Sequence, residues 1–217
     1  MKYIKKTQQE PRVFNKWRHE GGWDASNDPQ SPSWNPKARK IKQDIKELLL
    51  KEQGYICCYC EEQITNERSH VEHIQPKGLF QFAQLKSRYR NIVCSCNSTK
   101  TCGHAKKNQE IKVVPIKNNC EKLFEYLDDG RIQGKNQDAS DTICTLNLNT
   151  EQLNAARREI IDVFLYTTDT LTLSEYDSLV QEYLKRNREG HFQRFWTVIK
   201  YIAERYRNIY DQRITTD

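Results

Sequence analysis

Cysteine placement constrains this chain more than any other feature. Six of its eight cysteines, at 57, 58, 60, 94, 96 and 102, fall between positions 57 and 102, together with three of its five histidines (70, 73 and 104). Cysteines recruited only as small core residues would not bunch in this way. The run Cys57-Cys58-Tyr59-Cys60 contains a C-x2-C pair, a tight turn that aims two thiolates at one point. A tetrahedral Zn²⁺ takes four such ligands at about 2.3 Å. The second pair must come from 94, 96 and 102. Cys96 and Cys102 enclose a loop that can turn back on a metal, so 57, 60, 96 and 102 form the preferred set. Cys94, two residues before Cys96 and on the same side of a strand, is the reserve. A site closed by four thiolates is structural, and folding of the bracketed segment should depend on it. Cys120 and Cys144 lie outside the cluster and read as core residues.

Charge is concentrated in the same region. The whole chain carries +6, but residues 76–117 alone hold nine Lys or Arg against a single acid, Glu110. A basic stripe interleaved with metal-ligand residues points to a polyphosphate partner. The following segment, 118–144, has six acids against three bases and reads as an acidic linker. The longest apolar run, Tyr55 to Cys60, is six residues. A membrane span needs about 20. With no apolar stretch behind the basic start, a cytoplasmic chain is expected, with no membrane partner.

Residues 1–35 mix charge, Trp17, Trp23, Trp34 and three prolines without a sustained period, as in an arm that drapes over something else. The tryptophans read as packing anchors. Ile41, Ile45, Leu48 and Leu49 predict an amphipathic helix over about 38–52, started by Pro36 and stopped at Gly54. Residues 55–117 are broken into short pieces suited to hairpins and loops. Helical periodicity returns from Thr150, again after Ser174 as a cap, and over 192–210, where Phe192, Phe195, Trp196, Ile199 and Ile202 share a stripe. The expected architecture is therefore α+β, with segments 1–54, 55–117 and 118–217. No small-molecule cofactor is expected.

Between the cysteine pairs lie Glu72-His73-Ile-Gln-Pro-Lys77 and Arg88-Tyr-Arg90-Asn91-Ile-Val, and after Cys102 comes Gly103-His104-Ala-Lys106-Lys107-Asn108. A carboxylate beside an imidazole, an amide some way on and a further His or Asn on a short helix suit phosphodiester hydrolysis. Mg²⁺ is a hard ion that prefers oxygen ligands and leaves positions for water and substrate. A neutral imidazole can deprotonate water near neutral pH. In order and spacing these residues resemble the HNH nucleases with a ββα-metal core, and most resemble the PtuB-type proteins of Septu and retron anti-phage systems. The start Met1-Lys-Tyr-Ile-Lys-Lys and the segment Leu146-Asn-Leu-Asn149 before Arg157-Arg158 carry that likeness beyond the core.

The resemblance implies a zinc-stapled ββα-metal core flanked by an N-terminal arm and helix and a C-terminal helical bundle. It implies His73 as general base, Asn91 holding its imidazole by a side-chain hydrogen bond, and Glu72 and His104 as ligands of a catalytic Mg²⁺ or Mn²⁺. Many family members place that last ligand directly after the cysteine, where this chain has Gly103; Asn108 and Asn97 compete with His104 for the role. His70 reads as a strand-face residue, with phosphate binding as its alternative. Lys77, Arg88, Arg90, Lys106 and Lys107 are the expected nucleic-acid contacts. The implied activity is endonucleolytic cleavage, of DNA ahead of RNA, in a defence system with an ATPase subunit (PtuA-like). The rivals are a tRNA-cleaving toxin using the same site and a non-catalytic zinc module that only binds nucleic acid or a partner.

Overall fold

The computed structural model describes residues 1–7, 9–19, 36–168 and 171–216. Trp23 and Trp34 lie outside these, as does most of the second half of the expected arm. The described part of the arm does lie across the molecule: the Ile4 N–H bonds the Pro115 carbonyl at 2.7 Å, and Lys6 pairs with Glu52 at 2.8 Å. It also contains a short helix, α1 (Arg12–His19), whose Phe14 is buried and which packs on α2 (Pro36–Gln53).

Helix α2 ends as the sequence predicts. Gly54 has φ +63, and a Cβ there would meet the Phe192 ring at 2.2 Å, so both conformation and space demand glycine. Arg186 reaches over from the back of the chain and donates to the exposed carbonyls of Lys51 and Glu52 at 2.7 and 2.9 Å. Gln53 is buried and fully used. Its amide nitrogen donates to the carbonyls of Ile56 and Cys94, and its oxygen accepts the Cys94 N–H. The end of α2 is thereby tied to the cysteine turn and to the strand that carries Cys94.

Strand β1 (Ser69–His73) pairs antiparallel with β2 (Ile92–Cys96), matching Ser69 with Cys96 and His73 with Ile92. Helix α3 (Cys102–Lys106) follows and packs on β2, completing a ββα unit. Beyond it the acidic segment is not a linker. It forms a second antiparallel hairpin, β3 (Phe124–Tyr126) and β4 (Ile132–Gly134), and helix α4 (Gln137–Leu146), capped by the Asn136 side chain. Charge masked this structure because Phe124, Tyr126, Ile132, Ala139, Ile143 and Leu146 face inward while Asp128, Asp129, Asp138 and Asp141 point out.

Helices α5 (Glu151–Thr168), α6 (Leu173–Leu184) and α7 (Trp196–Thr216) form the expected helical region, with α7 packed on both others. Two details differ from the sequence reading. Thr172, not Ser174, caps α6, through a reciprocal pair with Glu175. Helix α7 starts only at Trp196, because residues 186–195 form a loop and Phe195 takes φ +55 while remaining buried. The Phe195 N–H bonds the Glu61 carbonyl, and the Glu61 carboxylate accepts the Thr197 N–H at 2.8 Å and pairs with the Met1 ammonium at 2.8 Å. Buried side chains from the arm, the ββα unit and the helical region form a single cluster. Among the described residues no helix is long and apolar enough to cross a membrane.

Arg157 is the largest fully buried side chain. Its guanidinium donates to the carbonyls of Gly130 and Leu148 and to the Asn154 side chain, joining the second hairpin to α5. Arg157→Met would leave two buried carbonyls without these donors and should cost about 2–4 kcal/mol. Urea unfolding checks this, and a loss below about 0.5 kcal/mol would contradict it.

Candidate active site and metal centre

The sulfur atoms of Cys57, Cys60, Cys96 and Cys102 all lie within 4.8 Å of one another; among the described residues no other group of three or more His, Cys, Asp or Glu converges so closely. Cys57 and Cys102 are 3.8 Å apart, and Cys60 and Cys96 4.0 Å. A tetrahedron with arms of about 2.3 Å has edges of about 3.8 Å, so this donor set fits a zinc-like ion. The turn that presents the first pair is closed by the Cys57 N–H on Glu62 O and the Glu61 N–H on Cys57 O, with Glu61 at φ +66. Cys102 itself is held at φ +58, a costly conformation for a residue with a side chain. Burial pushes the Cys57 thiol up, but hydrogen bonds from Cys102, Cys58, Cys60 and Cys96 outweigh it and hold Cys57 well below the usual value. Cys60 and Cys102 are pushed well above it in turn, so the cluster favours one thiolate shared among its neighbours. Cys94 is excluded: its thiol points to the Lys46 carbonyl in α2 at 3.7 Å, and burial pushes its pKa up to about 12.

Glu72 and His73 are neighbours on β1 and therefore face opposite sides of the hairpin. Oε1 of Glu72 accepts from Lys106 Nζ at 2.8 Å and from the Tyr59 hydroxyl at 3.4 Å. Burial alone would raise the Glu72 pKa; His70 and Lys106 outweigh it and hold the carboxyl below its ordinary value. Lys106 also donates to the His73 carbonyl at 2.9 Å and is only 1% exposed. The expectation that Lys106 contacts nucleic acid is therefore corrected. Its ammonium is enclosed and spent on the β1 strand, and it cannot reach a phosphate.

His73 ends β1, and its Nε2 lies 3.1 Å from the Lys86 carbonyl. A carbonyl only accepts, so the proton is on Nε2 and Nδ1 is the basic nitrogen. Burial lowers the His73 pKa more than the Lys86 bond raises it, favouring neutral imidazole. Asn91 does not hold the ring directly. Its Oδ1 accepts the Gln75 N–H at 2.8 Å, and its Nδ2 donates to the carbonyls of Gln75 and Leu85 at 3.1 and 3.2 Å. Asn91 thus fixes the loop whose next carbonyl, Lys86 O, orients His73. In place of the expected Asn91–His73 hydrogen bond, the link runs through the backbone of Leu85 and Lys86.

On the Glu72 side, His70 Nε2 is 3.7 Å from Glu72 Oε2, and the exposed His104 ring lies 4.7 Å from the His70 ring. Asn97 hydrogen-bonds His70 Nδ1 at 3.1 Å, whereas the Asn108 amide would meet a Cβ built on Gly78, in the loop after β1. Lys77, Arg88, Arg90 and Lys107 are exposed. Three contributors escaped the sequence reading. Tyr59 looked like the spacer of the cysteine turn, and His70 like a strand-face residue, although its two-residue offset from Glu72 signals a shared face. Phe80 is 97% exposed in a 3₁₀ segment, Phe80–Leu85, that buries none of its side chains.

No family model matches the chain. It is similar to a protein of Vibrio cholerae serotype O1 biovar El Tor named "Retron Vc95 putative HNH endonuclease", with 31% identity over 138 residues, covering 58% of this chain and 67% of that protein. The thiolate geometry carries its own test. Cys57→Ser should lose the bound metal and the cooperative thermal transition, whereas Cys94→Ser should keep about one metal per chain by elemental analysis. Equal metal loss in both variants would contradict the ligand set.

Proposed function

Because this chain belongs to the HNH endonucleases, which hydrolyse phosphodiester bonds in nucleic acid, we propose that it cuts DNA through a site built from Glu72, His73 and Asn91, with Zn²⁺ at the four cysteines. The observation that carries this reading is the setting of His73. Its Nε2–H is pinned on the Lys86 carbonyl, its basic nitrogen is Nδ1, and burial keeps it neutral, beside a carboxylate held ionised on the neighbouring residue.

In this mechanism His73 Nδ1 takes a proton from a water as that water attacks phosphorus. The P–O3′ bond breaks, leaving a 5′-phosphate and a 3′ oxygen that is protonated from solvent. Asn91 keeps the general base in place by fixing the loop that carries Lys86. Lys106 holds Oε1 of Glu72 and leaves Oε2 facing His70. A Mg²⁺ or Mn²⁺ held at Oε2 would supply charge stabilisation to the phosphate and the departing oxygen. Lys77, Arg88, Arg90 and Lys107 are the cations proposed to follow the backbone. Phe80, exposed close in sequence to Lys77, is suited to wedge between base steps of a duplex.

The retron setting belongs to the Vibrio cholerae relative by its name. We extend it to this chain as a defence nuclease whose cutting is licensed by an ATPase subunit of the PtuA type. Absence of co-elution with an ATPase encoded beside it would overturn that extension.

The test is digestion of plasmid DNA and of tRNA with Mg²⁺ or EDTA. His73→Ala should lower Mg²⁺-dependent plasmid cutting by about 10²–10⁴-fold with its cysteine-bound metal unchanged. Cutting of tRNA but not plasmid would replace DNA by RNA as the substrate. Wild-type cutting matched by the His73 variant would remove His73 as the base. Phe80→Ala should weaken duplex binding about five- to hundredfold without changing metal content, as measured by fluorescence anisotropy.

A further inference from the structure

The side-chain atoms around Gly103 point to an unexpected ligand. A Cβ built at Gly103 would lie 2.7 Å from His70 Nε2 and 2.9 Å from Glu72 Oε2. The volume that a side chain at 103 would enter is therefore already occupied by an imidazole nitrogen reaching in from β1. The orientation of that ring follows from its neighbours. Asn97 Nδ2 donates to the Glu67 carbonyl at 3.0 Å, which fixes the amide and places Oδ1 against His70 Nδ1 at 3.1 Å. Oδ1 only accepts, so His70 presents its Nδ1–H to Asn97 and turns Nε2 towards Glu72. Oε1 of Glu72 is taken by Lys106 and Tyr59. What remains is an imidazole nitrogen facing a carboxylate oxygen across 3.7 Å, two potential metal-ligand atoms side by side in the space next to Gly103.

Resting on the nuclease reading above, we infer that His70 together with Glu72 binds the catalytic divalent ion, the imidazole from β1 standing where a helix side chain at 103 would otherwise project. Asn97 is then a positioning residue that orients the His70 ring. His104, exposed on the outer side of the His70 ring, is not required for binding.

The test titrates the zinc-loaded full chain with Mn²⁺, following free Mn²⁺ by electron paramagnetic resonance. His70→Ala should weaken Mn²⁺ binding by about 10–100-fold or more, since even partners behind a ligand cost that much. His104→Ala should stay within about threefold of wild type, because it removes no ligand. In His70→Ala/Gly103→Asn the space vacated by the ring admits the new amide, and Mn²⁺ binding should recover in part. Retained cysteine-bound metal reports that each variant is folded. Loss in both single variants would keep His70 and add His104 as a third ligand. A mere ion pair between protonated His70 and Glu72 makes the opposite forecast: His70→Ala would release the carboxylate and leave Mn²⁺ binding equal or tighter. That result in a chain that cuts DNA overturns this inference alone. A wild type that neither binds Mn²⁺ nor cuts either polymer overturns the nuclease reading with it.

Discussion

The cluster of Cys57, Cys60, Cys96 and Cys102 brings three pieces of chain to one point. Three buried sulfurs and a half-buried one, all within 4.8 Å of one another, would repel if all were ionised, and a bound cation would turn that repulsion into cohesion. Through Cys96 the cluster fixes the end of β2, and pairing to Ser69 passes that constraint to the start of β1. Through Cys102 it fixes the entry to α3, whose five residues carry Gly103, His104 and Lys106 to the face of Glu72. The rest of the protein reinforces the same point. Gln53 secures α2 to Ile56 and Cys94, and Glu61, directly after Cys60, is buried against the start of α7.

The hairpin then separates two kinds of chemistry on its two faces. Glu72 looks toward α3, where Tyr59, Lys106 and His70 surround the carboxylate. His73 looks toward the loop before β2, where Lys86 O and Asn91 control the imidazole. Lys106 links the faces by donating to both the Glu72 side chain and the His73 carbonyl. A buried ammonium is costly unless it is paired. Here it is paired on the two residues whose placement matters most, which explains why a lysine in a basic stretch is enclosed instead of facing solvent.

Much of this was legible in the sequence, for identifiable reasons. The cysteine ligands could be selected because metal geometry limits spacing, and α2 because Pro36, the apolar period and Gly54 agree. The fold class followed from the same segments. What escaped depended on contacts distant in sequence. The charge of residues 118–144 hid a hairpin and a helix, because composition does not say which face is buried. The aromatic stripe at 192–210 kept its helical period although Phe195 is held in a left-handed turn by Glu61 O, 134 positions earlier by the numbering. Asn91 was identifiable as a residue near His73, but its use of backbone carbonyls was not, since those belong to a loop with no period. Lys106 and Lys107 are adjacent and chemically alike, and only the packing of α3 on the strands makes one buried and the other exposed.

The central claim is that a structural metal at the cysteines builds the site at which a different, exchangeable ion supports phosphodiester hydrolysis. Its most direct measurement compares Mg²⁺-dependent plasmid cutting by zinc-loaded chain, by chain stripped of zinc, and by stripped chain after zinc is restored. The account predicts cutting in the first and third samples, dependent on Mg²⁺ in both, and none in the second at any Mg²⁺ concentration. Undiminished Mg²⁺-dependent cutting by the stripped chain would contradict it.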